Sequence, residues 1–218
     1  MATEPAGRSR KARNQSGEET RDRLLDAALA VVGESGLVGT TARSIARAAE
    51  VNQALIFYHF GSIDDLLLAA LQRANDRRIE RFSQVLEAVD SLDGLVAVAA
   101  ELHGNRDDPD WPALSAIVAG WSTSSDLGSR VLEILAPWDD LIEGALRRAF
   151  AGSPLGQVLP IPLVVRSIAA LFLGIELYAR LDPKDTSADE LFQSLALMAR
   201  LAAPLLGTAS DRPASDPA

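Results

Sequence analysis

Between Gly36 and Ser62, signals that start and stop helices fall so close together that only short helices joined by tight turns fit. Ser16-x-x-Glu19 has the form of a capping box, in which two side chains satisfy exposed backbone N–H groups reciprocally. Leu24, Leu25, Ala28, Leu29 and Val32 follow as one apolar helical stripe, and Gly36 stands where a left-handed residue would end it. Thr41 is placed to cap a second, very short helix with Ile45, Ala46 and Ala49 inward. Asn52 is placed to cap a third over roughly Gln53 to Tyr58. Gly61 closes that helix, and Ser62 opens a long one through Leu66, Leu67, Ala70, Leu71 and Ala74 toward Ala88. Helix, tight turn and helix within about 20 residues is the arrangement that presents a helix to a DNA major groove.

The rest of the chain keeps the helical period. Segments are expected near Gly94–His103, Trp111–Ser125, Ser129–Ala151, Pro162–Leu181 and Ser187–Leu206, the last opened by a second capping box, Ser187-x-x-Glu190. Pro137 should kink or break its helix, and Gly152–Pro160 reads as a loop. Hydrophobic residues make up 48% of the chain, mostly Ala, Leu and Val, while aromatics are only 5% and strand-type clusters are scarce. An all-α fold of about nine helices is therefore expected. Residues 1–15 and 207–218 are polar and rich in Ser, Arg, Pro and Asp, and are expected to be disordered. No linker rich in Gly and Pro separates a small unit at 16–75 from a larger one at 76–206, so the two are expected to pack together.

Several function classes fall away. Cysteine is absent, which removes thiolate zinc sites and cysteine nucleophiles and suits a reducing cytoplasm. His59 and His103 are the only histidines, so neither a metal site nor another cofactor is expected. The longest apolar stretch, around Leu163 to Leu181, is interrupted by Arg166 and Glu176, and no membrane span is expected from it. The N-terminus has basic residues without an apolar run behind them, unlike a secretory signal. No nucleophile elbow, phosphate loop, zinc-protease or dinucleotide motif is present, and an enzyme is not expected. The carboxylates of Asp139 and Asp140 are adjacent and point apart on a helix, which suits a surface role.

Charge is divided unevenly. The chain carries −9 overall, yet residues 1–60 hold eight Arg or Lys against seven Asp or Glu, and the remainder carries −10. Arg8, Arg10, Lys11 and Arg13 face only Glu4 within the first thirteen residues. A polyanion would be met by the N-terminal end and repelled elsewhere.

The run Gly39-Thr40-Thr41-Ala42-Arg43-Ser44-Ile45-Ala46, then Val51 to Phe60, then Asp64-Asp65-Leu66, resembles the DNA-binding domain of the TetR family of transcription regulators. The likeness spans about Glu18 to Leu71, and it implies three DNA-reading helices, a connecting fourth and a helical body that binds ligand and dimerises. By position, the resemblance implies that Thr41 meets a phosphate and Arg43 a base or phosphate. Asn52, Gln53 and Ala54 open the recognition helix, and Tyr58 and His59 lie along the backbone. Arginine suits a guanine edge, glutamine an adenine edge, and Ala54 or Leu55 a thymine methyl. His59 has two open roles, phosphate ligand or packed core residue. Ile45, Ala46, Val51, Ile56 and Phe60 are expected to be core. Three positions depart from the family pattern. Glu50 replaces the usual turn glycine at a cost in left-handed backbone, Phe57 the usual tyrosine with Tyr58 beside it as a substitute hydroxyl, and Ile63 the usual lysine, and together they imply weaker backbone affinity for DNA.

For the body, Leu191, Leu195, Met198, Ala202 and Leu205 recur at alternating spacings of four and three, and Ser167, Ala170, Leu171, Gly174 and Tyr178 line the helix before them. Two such helices from each of two copies would form a four-helix interface, as the family's last two helices do; an intrachain core stripe is the other role open to them. Trp111, Trp121, Trp138, Phe150 and Phe172 lie where the family holds its inducer. His103, Ser115, Trp121, Ser122 and Phe172 are the candidate lining for an apolar or amphipathic effector, with ordinary helix packing open to each. The expectation is a cytoplasmic, homodimeric, ligand-responsive repressor on a palindromic double-stranded operator. The alternative is a ligand-binding helical dimer whose head has lost DNA affinity.

Overall fold

The computed structural model describes residues 6–104, 108–121, 125–182 and 186–206. These contain ten helices and no strand: α1 (Ala6–Ser35), α2 (Ala42–Ala48), α3 (Ala54–Phe60), α4 (Ile63–Ala88), α5 (Leu92–Gly104), α6 (Trp111–Trp121), α7 (Ser125–Ala149), α8 (Pro154–Val158), α9 (Ile161–Leu181) and α10 (Ser187–Leu206). The helix beyond the expected nine is α8, inside the stretch read as a loop. Ser153 Oγ accepts from Leu155 N (3.2 Å) and Pro154 stands at the first helical position, so the cap-and-proline signal was present in the sequence. Pro137 does not break α7, which runs unbroken on both sides of it. Helix α1 begins at Ala6, not at Ser16, so residues 6–15 are helical where a disordered arm was expected. Arg, Lys, Ala and Gln dominate that stretch and sustain helix well. Ser16 is accordingly interior, its carbonyl accepting from Thr20 Oγ1. The C-terminal tail, 207–218, lies outside the described residues.

The chain divides into two compact units, one of residues up to Asn75 with Asp108–Ile134, the other of Asp76–Asp107 with residues from Leu135 onward. In the first unit the α1 stripe is buried as the spacing requires, Leu24, Leu25, Ala28, Leu29 and Val32 being covered together with Ile45, Ile56, Leu66, Leu71 and Ala74. Helix α6 packs on α1 within this unit. Pro112 lies against Gly33, and Gly120 sits where a Cβ would run into Leu37. Residues 108–121 and 125–134, expected in the body, thus belong to the same compact unit as the first three helices. The sequence could not assign them, because α6 carries apolar residues that suit either unit.

Local geometry in this unit follows the caps. Thr41 Oγ1 accepts from Ser44 N (3.1 Å) while Ser44 Oγ accepts from Thr41 N (2.9 Å), closing a capping box on α2. Gly36 (φ 69°) ends α1 in the left-handed region, its N–H bonding Val32 O at 2.9 Å. Glu50 (φ 55°) is the one non-glycine residue found there among the described residues. A left-handed L-residue costs roughly 1–2 kcal/mol, part of which glycine's extra unfolded-state entropy offsets. Glu50→Gly is therefore expected to stabilise the protein by about 1 kcal/mol in chemical denaturation. Glu50→Gln keeps the Cβ and is expected to change stability by less than about 0.5 kcal/mol; equal stabilisation by both would assign the strain to charge instead.

The second unit is built on Phe82, Leu86, Val98, Ala145, Leu146, Phe150, Ile161 and Val165, with Trp138, Leu141, Ile142, Ile168 and Ala202 packed against them. Arg148 secures the end of α4. Its guanidinium donates to the carbonyls of Leu86 (2.6 Å) and Val89 (2.8 Å), and Leu86 O also accepts from Val89 N at 3.2 Å.

Candidate functional site

The first unit sets a row of polar side chains over its apolar core. Ile45 and Ile56 anchor α2 and α3 from beneath, and this leaves Thr41, Arg43, Asn52, Gln53 and Ala54 exposed. Asn52 Oδ1 accepts from Ala54 N (2.8 Å), so its carbonyl oxygen is engaged in opening α3 and its amide N–H groups point outward for other use. Tyr58 is 80% exposed, and its ring meets that of half-buried His59 edge-on at 5.0 Å. Phe57 is also largely exposed, whereas Val51 and Phe60 are only partly covered, not the full core residues expected. The guanidinium of Arg21 lies 5.2 Å above the Phe60 ring.

At the start of α4, Ser62 Oγ accepts from Asp65 N (3.0 Å) and donates to Asp65 Oδ2 (2.6 Å), while Arg130 Nη2 holds Asp65 Oδ1 at 2.8 Å. The Ser62 hydroxyl, with Arg130 beside it, holds the Asp65 carboxyl below its ordinary range. Arg130 also offsets one of the two carboxylates, Asp64 and Asp65, that would otherwise repel a phosphate near the Ile63 end of α4. On α2, Arg43 and Arg47 are exposed, with Glu50 following them in the turn to α3.

Residues 24–70 match the family model of bacterial regulatory proteins, tetR family. The match runs from the middle of α1 into α4. A similar curated protein is the HTH-type transcriptional dual regulator CecR of Shigella flexneri, 43% identical over 76 residues, which are 35% of this chain and 34% of CecR. The match thus spans about a third of that relative's length. Likeness of fold extends further. A TetR-family member from Streptomyces coelicolor A3 superposes with a TM-score of 0.57 at 27% identity, over 81% of this chain and 97% of that one. The regulator FadR from Bacillus subtilis, solved in complex with stearoyl-CoA, gives 0.64 at 18% identity over 81% and 95%.

Beyond the TetR-type domain, the residues expected at a dimer face divide. On α9, Ser167, Ala170, Leu171, Gly174 and Tyr178 are all exposed, and a Cβ on Gly174 would meet nothing within 4 Å. Leu163, Leu177 and Leu181 extend this apolar face along the helix. On α10, Met198 is exposed and Leu191 and Leu195 are partly covered, but Ala202 packs against the core of its own chain. The outward stripe of α10 runs instead through Leu197, Met198 and Leu201. Residues stand about 100° apart around a helix, so Ala202 lies about 40° from Met198, toward the side where Phe192 and Ala199 are buried. The side chain of Leu205 lies outside the described residues. Between α9 and α10 runs a groove of about 350 Å³ lined by Leu171, Gly174, Tyr178, Ala188 and Leu191 among others.

Ile161–Ala179 is long and apolar enough to cross a membrane, because Arg166 and Glu176 do not outweigh its Leu, Ile, Val and Ala content. Only 22% of that stretch is buried. One such helix is weak support for a span, and Glu176 is turned into the unit's interior, hydrogen-bonded at 2.7 Å to His103.

The candidate effector residues do not gather in one unit. Ser115 and Trp121 belong to the first unit, where Ser115 Oγ is donated to Trp111 O (2.8 Å) and Trp121 is buried. His103 and Phe172 belong to the second, and Ser122 lies outside the described residues. Sequence reasoning missed Glu176, because its partner His103 is 73 residues away and an isolated glutamate in an apolar run carries no local signal. Among the described residues no group of three or more His, Asp or Glu could hold a metal ion.

Proposed function

We propose that this chain is a cytoplasmic, homodimeric transcription regulator that represses from a palindromic operator and releases it when a small molecule binds the second unit. The observation that carries this reading is the surface of α2 and α3, where Arg43 and Gln53 are exposed on short helices whose other faces are buried. Side chains without a packing role at the start of a recognition helix are those that reach base edges. In this reading Arg43 addresses guanine, Gln53 adenine and Ala54 a thymine methyl. Thr41, Asn52, Tyr58 and His59 fix position on the phosphates.

The exposed faces of α9 and α10 would pair with the same faces of a second copy, the bare backbone at Gly174 allowing close helix approach. That pairing accounts for an apolar helix that its own unit leaves mostly uncovered. FadR, which shares the fold, holds stearoyl-CoA, and this supports a ligand-holding role for the second unit here. Binding of the purified protein to its own upstream intergenic DNA, followed across a salt series, tests the reading. Tight, sequence-dependent binding is expected, with affinity falling steeply as salt rises. Binding indifferent to sequence, both there and in selection from random DNA, would favour a ligand-binding dimer whose head has lost its operator, as Glu50, Phe57 and Ile63 would allow.

A further inference from the structure

In the second unit, His103 is buried on α5 between acidic side chains from two other helices. On one side its Nδ1 is hydrogen-bonded to Glu176 Oε1 of α9 at 2.7 Å, and both side chains are more than nine-tenths buried. On the other side Nε2 is buried with no hydrogen-bond partner among the described residues. The nearest carboxylate oxygen there is Asp189 Oδ1, in the first turn of α10 at 4.0 Å, too far for a hydrogen bond with the ring. The Phe192 ring is tilted against the imidazole, with their centroids 5.4 Å apart.

A buried nitrogen left unmatched costs free energy that a ligand can recover. With Nδ1 protonated toward Glu176, Nε2 presents a lone pair, so it and Asp189 Oδ1 are two acceptors 4.0 Å apart. A single donor atom about 2.8 Å from each would subtend roughly a right angle between them, which a group bearing two or more N–H bonds can meet. Two carboxylates stand against one imidazole, which favours a cation over a neutral hydroxyl and repels an anion. Phe192 adds an aromatic wall to such a charge. Asp189 is half exposed, so it can swing outward to admit the group and return to bind it.

We infer that His103, Glu176 and Asp189 form a binding site for an ammonium-bearing small molecule, with His103 Nε2 and Asp189 as direct acceptors and Glu176 fixing the imidazole. This rests on the second unit being the effector-holding body, and it names the class of effector.

Benzylamine, benzyl alcohol and benzoate share one ring and differ in the head group. Thermal unfolding and calorimetric titration of the full chain with each, in the absence of DNA, test the site. Benzylamine is expected to raise the unfolding temperature and to bind at least tenfold tighter than the alcohol, with no response to benzoate. Asp189→Asn, at a half-exposed position, is expected to keep the fold and weaken benzylamine binding at least tenfold, and His103→Gln to do the same. Should His103→Gln fail to fold, Asp189→Asn decides alone. Equal binding of the alcohol, no response to the amine, unchanged amine binding by Asp189→Asn, or stabilisation by zinc or nickel ions in the amine's place would each overturn the site. Amine binding without operator binding would sink the regulator reading and leave the site standing, and the converse would sink only the site.

Discussion

Replacing Arg43 and Gln53 together by alanine is expected to weaken operator binding about a hundredfold or more while leaving thermal stability and helix content unchanged. Both side chains are exposed, so neither truncation opens a cavity in the core beneath Ile45 and Ile56. A well-placed base contact contributes roughly 1–3 kcal/mol of discrimination, and every 1.4 kcal/mol is tenfold in affinity, so two lost contacts reach this range. The loss should fall on specific sequence far more than on random DNA. Phosphate contacts from Thr41, Tyr58 and the basic N-terminal stretch would remain. Gel-shift titrations of both DNAs with both proteins check this. A uniform loss on both DNAs would make Arg43 and Gln53 phosphate contacts and move base reading elsewhere on α3.

Leu171→Glu combined with Leu201→Glu is expected to convert the dimer to a monomer and to lower operator affinity at least a hundredfold. Each leucine is at least half exposed in one copy, so the charges are tolerated by the isolated chain. In a four-helix interface the same carboxylates would be buried without partners, at a cost of several kcal/mol. A protein that loses its second copy also loses the effective concentration that joins two half-sites, worth about 10²–10⁴ in affinity. Light scattering after size exclusion, at micromolar protein, reads the first effect, and titration of a palindromic and a single half-site DNA reads the second. A variant that stays dimeric would place the pairing surface away from α9 and α10.

Much of the first unit was legible because its structure is local. Thr41 with Ser44, Gly36, Ser62 with Asp65, and even the left-handed strain at Glu50 all act within four residues, and caps and breakers are written at that range. The outward faces of α9 and α10 were half legible. Small and apolar residues along α9 announce a close-packed surface, but only the fold distinguishes an outward Leu201 from an inward Ala202. Least legible were pairings that depend on distant chain meeting distant chain. His103 with Glu176, Arg148 with the end of α4, and α6 with α1 each join residues from separate helices, and none has a local signature. Nor does any local pattern announce that Ser115 and Trp121 fall in the first unit and His103 and Phe172 in the second.

The packing of α6 on α1 bears on how this protein can be re-engineered. Exchanging operator specificities between regulators invites a single junction after Asn75, which treats the head as a detachable cassette. Here that junction would separate Gly33 from Pro112 and Leu37 from Gly120, and strip a helix from the surface it covers. A graft with matched seams would need to transplant Asp108–Ile134 as well, making the portable module discontinuous in sequence.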